Sequence, residues 1–132
     1  MKALTICQPY AHLILTGEKP VENRTWTTRF RGPLLIHAGK SRSWMDEDDE
    51  RRYPDIVFGA IVGRVDMVDA LSASSVHRLH ADLRDNEHVN GPWCFLLRNP
   101  VRFERPIPYR GAQGFFDVPD SLLSSAGGDA NA

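Results

Sequence analysis

Cysteine is almost absent from this sequence, since only Cys7 and Cys94 occur among 132 residues and no CxxC spacing is found. Two distant cysteines cannot build a dense disulfide framework, so both are expected to be buried thiols. The chain also lacks a run of about 18 apolar residues, which argues against a membrane span, and its first residues lack the apolar core of a signal peptide. These absences predict a cytoplasmic protein without membrane contact.

The chain carries little net charge, because 16 Lys and Arg residues face 17 Asp and Glu residues. This balance argues against a protein that coats nucleic acid through bulk charge. The charges are nevertheless unevenly placed: residues 1–45 hold seven cations and two acids, residues 46–57 hold six acids and two cations, and residues 91–116 hold four cations and one acid. Two alternatives follow. The basic segments either meet in one groove or are scattered, solvated surface groups.

Apolar periodicity and turn residues predict one domain with six or seven strands and two or three short helices. No βαβ rhythm, repeat or internal linker occurs, which favours a small, mostly antiparallel barrel with helices on its rim, an α+β class dominated by strands. The domain is expected to span residues 1–123, followed by a disordered tail at 124–132. The predicted strands cover 2–6, 20–26, 33–38, 56–70, 92–98, 101–109 and 114–118, and the predicted helices cover 8–16, 43–52 and 72–83.

The most informative segment runs from Gly17 to Trp26. If residues 20–26 form a strand, Glu22, Arg24 and Trp26 share one face, because side chains alternate along a strand. Lys19 precedes a proline and is therefore extended, so its amine can point toward the same place. A cation, an anion and an aromatic ring together suit a polar, planar ligand such as a nucleotide. The alternative, that Glu22 and Arg24 simply pair and hold neighbouring loops, is equally favoured by the residues alone.

Other side chains are candidates for the same ligand, each with a structural alternative. Gln8 precedes a helix, where it either contacts ligand or caps the helix, and aromatic rings can stack on bases or pack at the rim. Cations after the motif can contact phosphate or only solvate a loop. His37 is expected to be a hydrogen-bonded core histidine, and neither a metal nor a cofactor is predicted. The ligand-binding candidates are Gln8, Lys19, Glu22, Arg24, Trp26, Arg29, Arg31, Lys40, Arg42 and Trp44.

The spacing Gly17-x-Lys19-x-x-Glu22-x-Arg24 resembles the GxKxxExR signature of ASCH domains. The likeness extends over roughly residues 2–122, in five blocks that occur in order. These blocks are Leu4–Ala11, the motif itself with Arg31–Ala38 after it, Gly59–Gly63, Gly91–Phe95 and Pro106–Gly111.

The resemblance implies a PUA-like barrel and a cleft beside the motif that takes RNA or a nucleotide-like ligand. Some family members deacetylate N4-acetylcytidine derivatives with a threonine nucleophile at the position of Glu22, so this departure speaks against that route here. We therefore predict a binder of RNA or of a modified nucleoside in a basic cleft. The enzyme alternative is a hydrolase, acting on RNA or on a nucleoside, with Lys19 and Glu22 as acid and base. A protein–protein module would instead show an exposed apolar patch.

Overall fold

Six strands and three short helices make up residues 1–125, the part of the chain that the computed structural model describes. In chain order they are β1 (Lys2–Ile6), α1 (Tyr10–Thr16), β2 (Val21–Arg24), β3 (Gly32–Ala38), α2 (Glu47–Arg52), β4 (Ala60–Ser72), α3 (Ala73–Leu79), β5 (Trp93–Pro108) and β6 (Phe115–Asp117). Two 3-10 turns follow α3 and β6, at Ala81–Leu83 and Asp120–Ser125. Within these residues, each helix is too short or too polar to cross a membrane.

All six described strands join one sheet in the order β2-β5-β4-β3-β1-β6. Strands β1 and β3 run parallel, and every other neighbouring pair is antiparallel. The sheet curls into a half-barrel, with β2 and β6 as its two edges. The predicted α+β class with a mixed barrel is therefore confirmed, and the barrel is half closed.

Helix α1 covers the concave face of the sheet and buries Ala11, Ile14 and Leu15 there. These positions are spaced i, i+3 and i+4, as one helical face requires. Tyr10 is half-buried at the border of this face and packs against the same core. The small side chain of Ala11 lets the helix lie close to the strands. Tyr10 is thereby left free to line a surface hollow.

Gly63 allows α1 and the strands β4 and β5 to meet closely. A Cβ atom at this position would lie 2.4 Å from the Val101 carbonyl oxygen and 2.7 Å from a Leu15 methyl group. The pairing of β4 with β5 shifts register between Ile61 and Gly63. Only glycine therefore fits here without moving the helix or the strand.

His37 lies on the opposite face of the sheet and is a buried, hydrogen-bonded core histidine, as predicted. Its Nε2 donates to the Tyr109 carbonyl oxygen at 2.6 Å, so its Nδ1 accepts from the Thr5 hydroxyl group at 3.0 Å. A Cβ atom on Gly111 would fall 2.6 Å from that hydroxyl oxygen. The segment from Tyr109 to Gly111, which follows β5, thus packs against His37.

Several predicted boundaries differ from the structure; for example, the strand predicted at 56–70 is Ala60–Ser72, and the helix predicted at 72–83 is Ala73–Leu79. Strand β2 ends at Arg24 instead of Trp26, because the chain leaves the sheet there and the Trp26 ring turns inward. Helix α2 begins after Asp46 instead of Ser43, since Asp46 and Asp49 form a reciprocal capping box. The strands predicted at 92–98 and 101–109 are one strand that bends at Asn99, whose φ is 54°.

The predicted tail begins inside the last 3-10 turn, which reaches residue 125. Residues 126–132, the rest of that tail, lie outside the described residues. The prediction that they are disordered therefore stays a prediction.

Candidate functional site

The motif runs from the end of α1 into the edge strand β2. Gly17 ends the helix in the left-handed conformation, with φ at 89°, and its N–H group donates to the Ile14 carbonyl oxygen. The Lys19 N–H group then turns back to the Leu13 carbonyl oxygen at 3.0 Å. These bonds direct the Lys19 side chain under the helix toward β2, which explains why a glycine and a lysine stand two residues apart.

Glu22 joins two cations in a continuous chain of ion pairs. Its Oε1 lies 3.2 Å from Lys19 Nζ, and its Oε2 lies 2.9 Å from Arg24 Nη2 and 3.0 Å from Arg24 Nε. The side chains of Lys19 and Glu22 are only 5% and 12% exposed. Lys19 also donates to the Val21 carbonyl oxygen. Charges this deeply buried require partners, and here each carboxylate oxygen has a cation.

Arg24 connects the two sides of the opening in the half-barrel. Its Nη2 also donates to the Thr5 carbonyl oxygen at 2.8 Å. Thr5 follows the part of β1 that β6 covers, because β6 pairs only with Lys2–Leu4. The Arg24 guanidinium group therefore binds a carbonyl oxygen of β1 that lies beyond the end of its pairing with β6. Its Nη1 group has no protein partner among residues 1–125.

Trp26 spans the same opening from within. Its ring meets Phe95 of β5 at 5.1 Å and Phe115 of β6 at 5.4 Å, both edge-to-face. It is half-buried and packs against the main core. This position gives Trp26 a clear packing role, although it also borders the shallow hollow described next.

Glu22 lies between two adjoining hollows. The larger one, which we call the motif hollow, has a volume of about 650 Å³ and contains Lys19 and Glu22 at its base. The second is a shallow hollow of about 400 Å³, bordered by Arg24, Trp26 and Cys7. The motif thus borders an open surface on both sides of its central carboxylate.

Two aromatic rings form one wall of the motif hollow. Trp44 is 61% exposed, a large fraction for such an apolar side chain. Tyr10 meets it edge-on with the ring centroids 6.1 Å apart, and Lys19 Nζ lies 5.6 Å from the centre of the Tyr10 ring. The lysine therefore lies against the Tyr10 ring, while most of Trp44 faces solvent.

Three further carboxylates border the motif hollow, from Asp46, Asp49 and Glu87. Asp46 and Asp49 bind each other's backbone N–H groups at the start of α2. Neither forms an ion pair within residues 1–125, and Glu87 lies 3.5 Å from His88 Nε2. Burial lowers the pKa of His88, and the nearby Lys19 lowers it further. The imidazole is therefore neutral at pH 7 and does not compensate these acids.

The cleft beside the motif is consequently not the basic groove that the sequence predicted. The four loop cations point elsewhere or are already paired. Arg31 pairs with Asp69, and Arg42 pairs with Glu50 and lies over the Phe58 ring. Arg29 and Lys40 are exposed, but neither borders the motif hollow or its shallow neighbour. Loop residues 39–46 turn Trp44 toward the motif and leave the cations outside.

Gln8 is buried and takes the capping alternative. Its Oε1 accepts from the His12 N–H group at 2.9 Å, in the first turn of α1, and its Nε2 donates to the Val57 carbonyl oxygen at 2.8 Å. It borders a different cavity of about 630 Å³ on the far side of α1. The structure thus separates Gln8 from the motif hollow.

Asn23 is a residue that the sequence reading missed. Its Nδ2 donates to the His88 carbonyl oxygen at 2.8 Å, and its Oδ1 accepts from the N–H groups of Asn90 and Gly91 at 3.1 and 2.9 Å. These bonds hold the loop that carries Glu87 and His88 against the motif. The sequence did contain a signal for this role, because Asn23 places an amide at an unspecified position of the motif, on the face of β2 opposite to Glu22.

Comparison with known proteins gives the chain a family. The family model for the ASCH domain matches residues 4–106. Activating signal cointegrator 1 from Homo sapiens and its counterpart from Mus musculus are each 30% identical over 136 residues. Each alignment takes in 93% of this chain and 23% of the relative. The chain therefore spans less than a quarter of the length of these relatives.

Solved structures agree in fold. The crystal structure of ASCH from Zymomonas mobilis is matched with a TM-score of 0.55 at 14% identity, over 93% of this chain and 90% of that one. A variant of the same protein is matched with a TM-score of 0.57 at 13% identity, over 94% of both chains. At this identity the likeness concerns the fold alone. The family model spans most of this sequence, and the chain accordingly belongs to the ASCH domain family.

Proposed function

We propose that this ASCH domain binds RNA or a modified nucleoside by taking a base into the motif hollow. The observation that carries this proposal is the arrangement around Glu22. A buried chain of ion pairs lies at the base of an open hollow, beside a tryptophan that is mostly exposed. A planar base can stack on an exposed aromatic ring, and such stacking contributes about 1–3 kcal/mol per base.

The polar groups at the base of the hollow suit the edge of a nucleobase. Lys19 donates hydrogen bonds and Glu22 accepts them, and both are held by partners that fix their positions. Neutral His88 and the side chain of Asn90 add donor and acceptor capacity at the border. Recognition of unstacked bases by such groups is the usual mode for single-stranded RNA.

Binding is measured by titrating the protein with a short single-stranded RNA and with nucleosides, using calorimetry. The test variant is Trp44→Ala, because Trp44 is exposed and its loss leaves the core intact. Affinity for RNA is expected to fall by about tenfold. The matched control is Trp26→Phe, which keeps an aromatic ring on Phe95 and Phe115 and is expected to preserve most affinity. If the affinity of Trp44→Ala for RNA were unchanged, the motif hollow would not be the binding site.

Turnover is measured on the same samples by mass spectrometry, with acetylated cytidine and with single-stranded RNA. The Glu22 carboxylate forms ion pairs with Lys19 and Arg24, and a proton taken from substrate would remove the negative charge that both pairs require, although each oxygen keeps a lone pair for a hydrogen bond. We therefore expect binding without product. Product formation that Glu22→Gln abolishes would establish the hydrolase alternative instead.

A further inference from the structure

We infer that the motif hollow selects a base that is positively charged, such as an N-methylated cytosine or adenine, and excludes the phosphate. This inference rests on the proposed function and names the ligand class of the same site. It concerns the charge that the bound base carries, which the family signature does not specify.

The charges at the border of the hollow give the first argument. Lys19 is the one Lys or Arg side chain among the described residues that line it, and Lys19, Glu22 and Arg24 together carry a single positive charge. Asp46, Asp49 and Glu87 have no cationic partner among the described residues, because Asp46 and Asp49 accept only backbone N–H groups and Glu87 lies beside neutral His88. A phosphate placed among three carboxylates is repelled, whereas a cation is attracted, so the hollow favours positive charge.

The aromatic wall gives an independent argument. A cation over the face of an aromatic ring is attracted by the ring quadrupole, and tryptophan is the best of the aromatic side chains for this purpose. Trp44 offers an exposed face beside Tyr10, whose ring already lies near Lys19 Nζ. A charged base that stacks on Trp44 therefore gains both stacking and cation–π attraction, while a neutral base gains stacking alone.

The cations that suit a phosphate lie elsewhere on the described surface. Arg31 and Arg42 are paired with carboxylates outside the hollow. Arg24 borders the shallow neighbouring hollow and is bonded to Glu22 and Thr5. Phosphates of a bound strand are thus expected to lie outside the motif hollow, with only the base inside.

The test compares three ligands built on the cytosine ring: 3-methylcytidine, whose methylated base is cationic, cytidine, which is neutral, and cytidine monophosphate, which is anionic. Affinities are measured by calorimetry at low salt. We expect 3-methylcytidine to bind about tenfold more tightly than cytidine, and cytidine monophosphate to bind most weakly. Equal affinities, or tighter binding of the monophosphate, would overturn the inference.

Two variants with the same change of charge locate the effect. Glu87→Gln removes a carboxylate from the border of the hollow and is expected to weaken 3-methylcytidine about three- to tenfold, with cytidine unchanged. Glu47→Gln removes an exposed carboxylate of α2 that does not border the hollow, and it is expected to leave both affinities unchanged. If the two variants weakened 3-methylcytidine equally, the preference for a cationic base would come from the overall negative charge of this surface, and a local site would be contradicted.

The two proposals fail in different ways. If short RNA and cytidine monophosphate bind in a Trp44-dependent manner and 3-methylcytidine does not, the charge preference is wrong and the proposed function stands. If none of the three ligands binds and short RNA does not bind either, both are wrong.

Discussion

At the scale of single residues, Glu22 has both a structural and a ligand-facing position. Sequence reasoning left ion pairing and ligand binding as equal alternatives, and the structure unites them, because the carboxylate joins Lys19 to Arg24 and also lines the motif hollow. If Glu22 served only to contact ligand, Glu22→Ala would remove binding with little loss of stability. Burial of the Lys19 ammonium changes that expectation.

Glu22→Ala is predicted to lower the free energy of unfolding by about 3 kcal/mol, since it leaves the Lys19 ammonium buried without its carboxylate. The double variant Lys19→Met with Glu22→Ala is predicted to recover much of that loss, because the unpaired charge is then gone. Urea unfolding of the two single variants and the double variant gives the coupling energy. Strictly additive losses would show that the pair is not coupled.

Two histidines give the protein a predictable response to acid. Burial lowers the pKa of His12, with help from Arg102, and burial and Lys19 lower the pKa of His88, in each case below the ordinary histidine value of about 6.5. Between those lowered values and about 6.5, the unfolded chain binds more protons than the folded chain. Stability is therefore fully present above about pH 6.5 and falls as the pH drops through this window.

The histidine contribution is isolated by comparing the wild type with the double variant His12→Gln, His88→Gln. Urea midpoints are measured at about pH 7.5 and about pH 5.5, on either side of the ordinary histidine pKa. The wild type is predicted to lose more stability between the two conditions than the double variant does. An equal or larger loss in the double variant would mean that neither histidine is responsible.

At the scale of elements, the contact between α1 and the strands β4 and β5 depends on Gly63. Gly63→Ala is predicted to destabilise the protein by about 2–3 kcal/mol, because the new methyl group meets the Val101 carbonyl oxygen and Leu15. Gly17→Ala is the matched control: nothing lies within 4 Å of its Cβ position, and only the positive φ is penalised, at about 1 kcal/mol. Thermal unfolding of both variants ranks them, and an equal loss would place the constraint in the backbone instead of the packing.

Sequence patterns predicted the elements better than their ends. Strand β1 and the glycine end of α1 follow from local chemistry, namely an apolar run and a left-handed cap. The start of α2 was missed because Ser43 and Asp46 are both good cap residues, and only the reciprocal bond from Asp49 decides between them. The bend at Asn99 depends on pairing with β4, which no local pattern records.

At the scale of the whole molecule, the site is assembled from segments that are distant in sequence. The pairing of Glu22 with Arg24 was within reach of strand alternation, because both lie on β2. Trp44 was among the ligand-binding candidates, but its place in one hollow with Glu87 was not within reach, because Trp44 precedes α2 and Glu87 follows α3. Asn23 brings the loop at 86–91 to the motif through side-chain bonds. The charge of the hollow therefore emerges only from the fold, which is why a basic cleft was predicted and an acidic border was found.

The proposed function depends on the entry of a base into the motif hollow against Trp44. Photocrosslinking measures this entry: a short RNA that contains one 4-thiouridine is crosslinked to the protein, and the crosslinked peptides are mapped by mass spectrometry. We expect crosslinks at Tyr10, Trp44 and the loop at 86–90, which are lost when an excess of 3-methylcytidine competes. Crosslinks confined to the surface around Arg29 and Arg31, unaffected by the competitor, would contradict it.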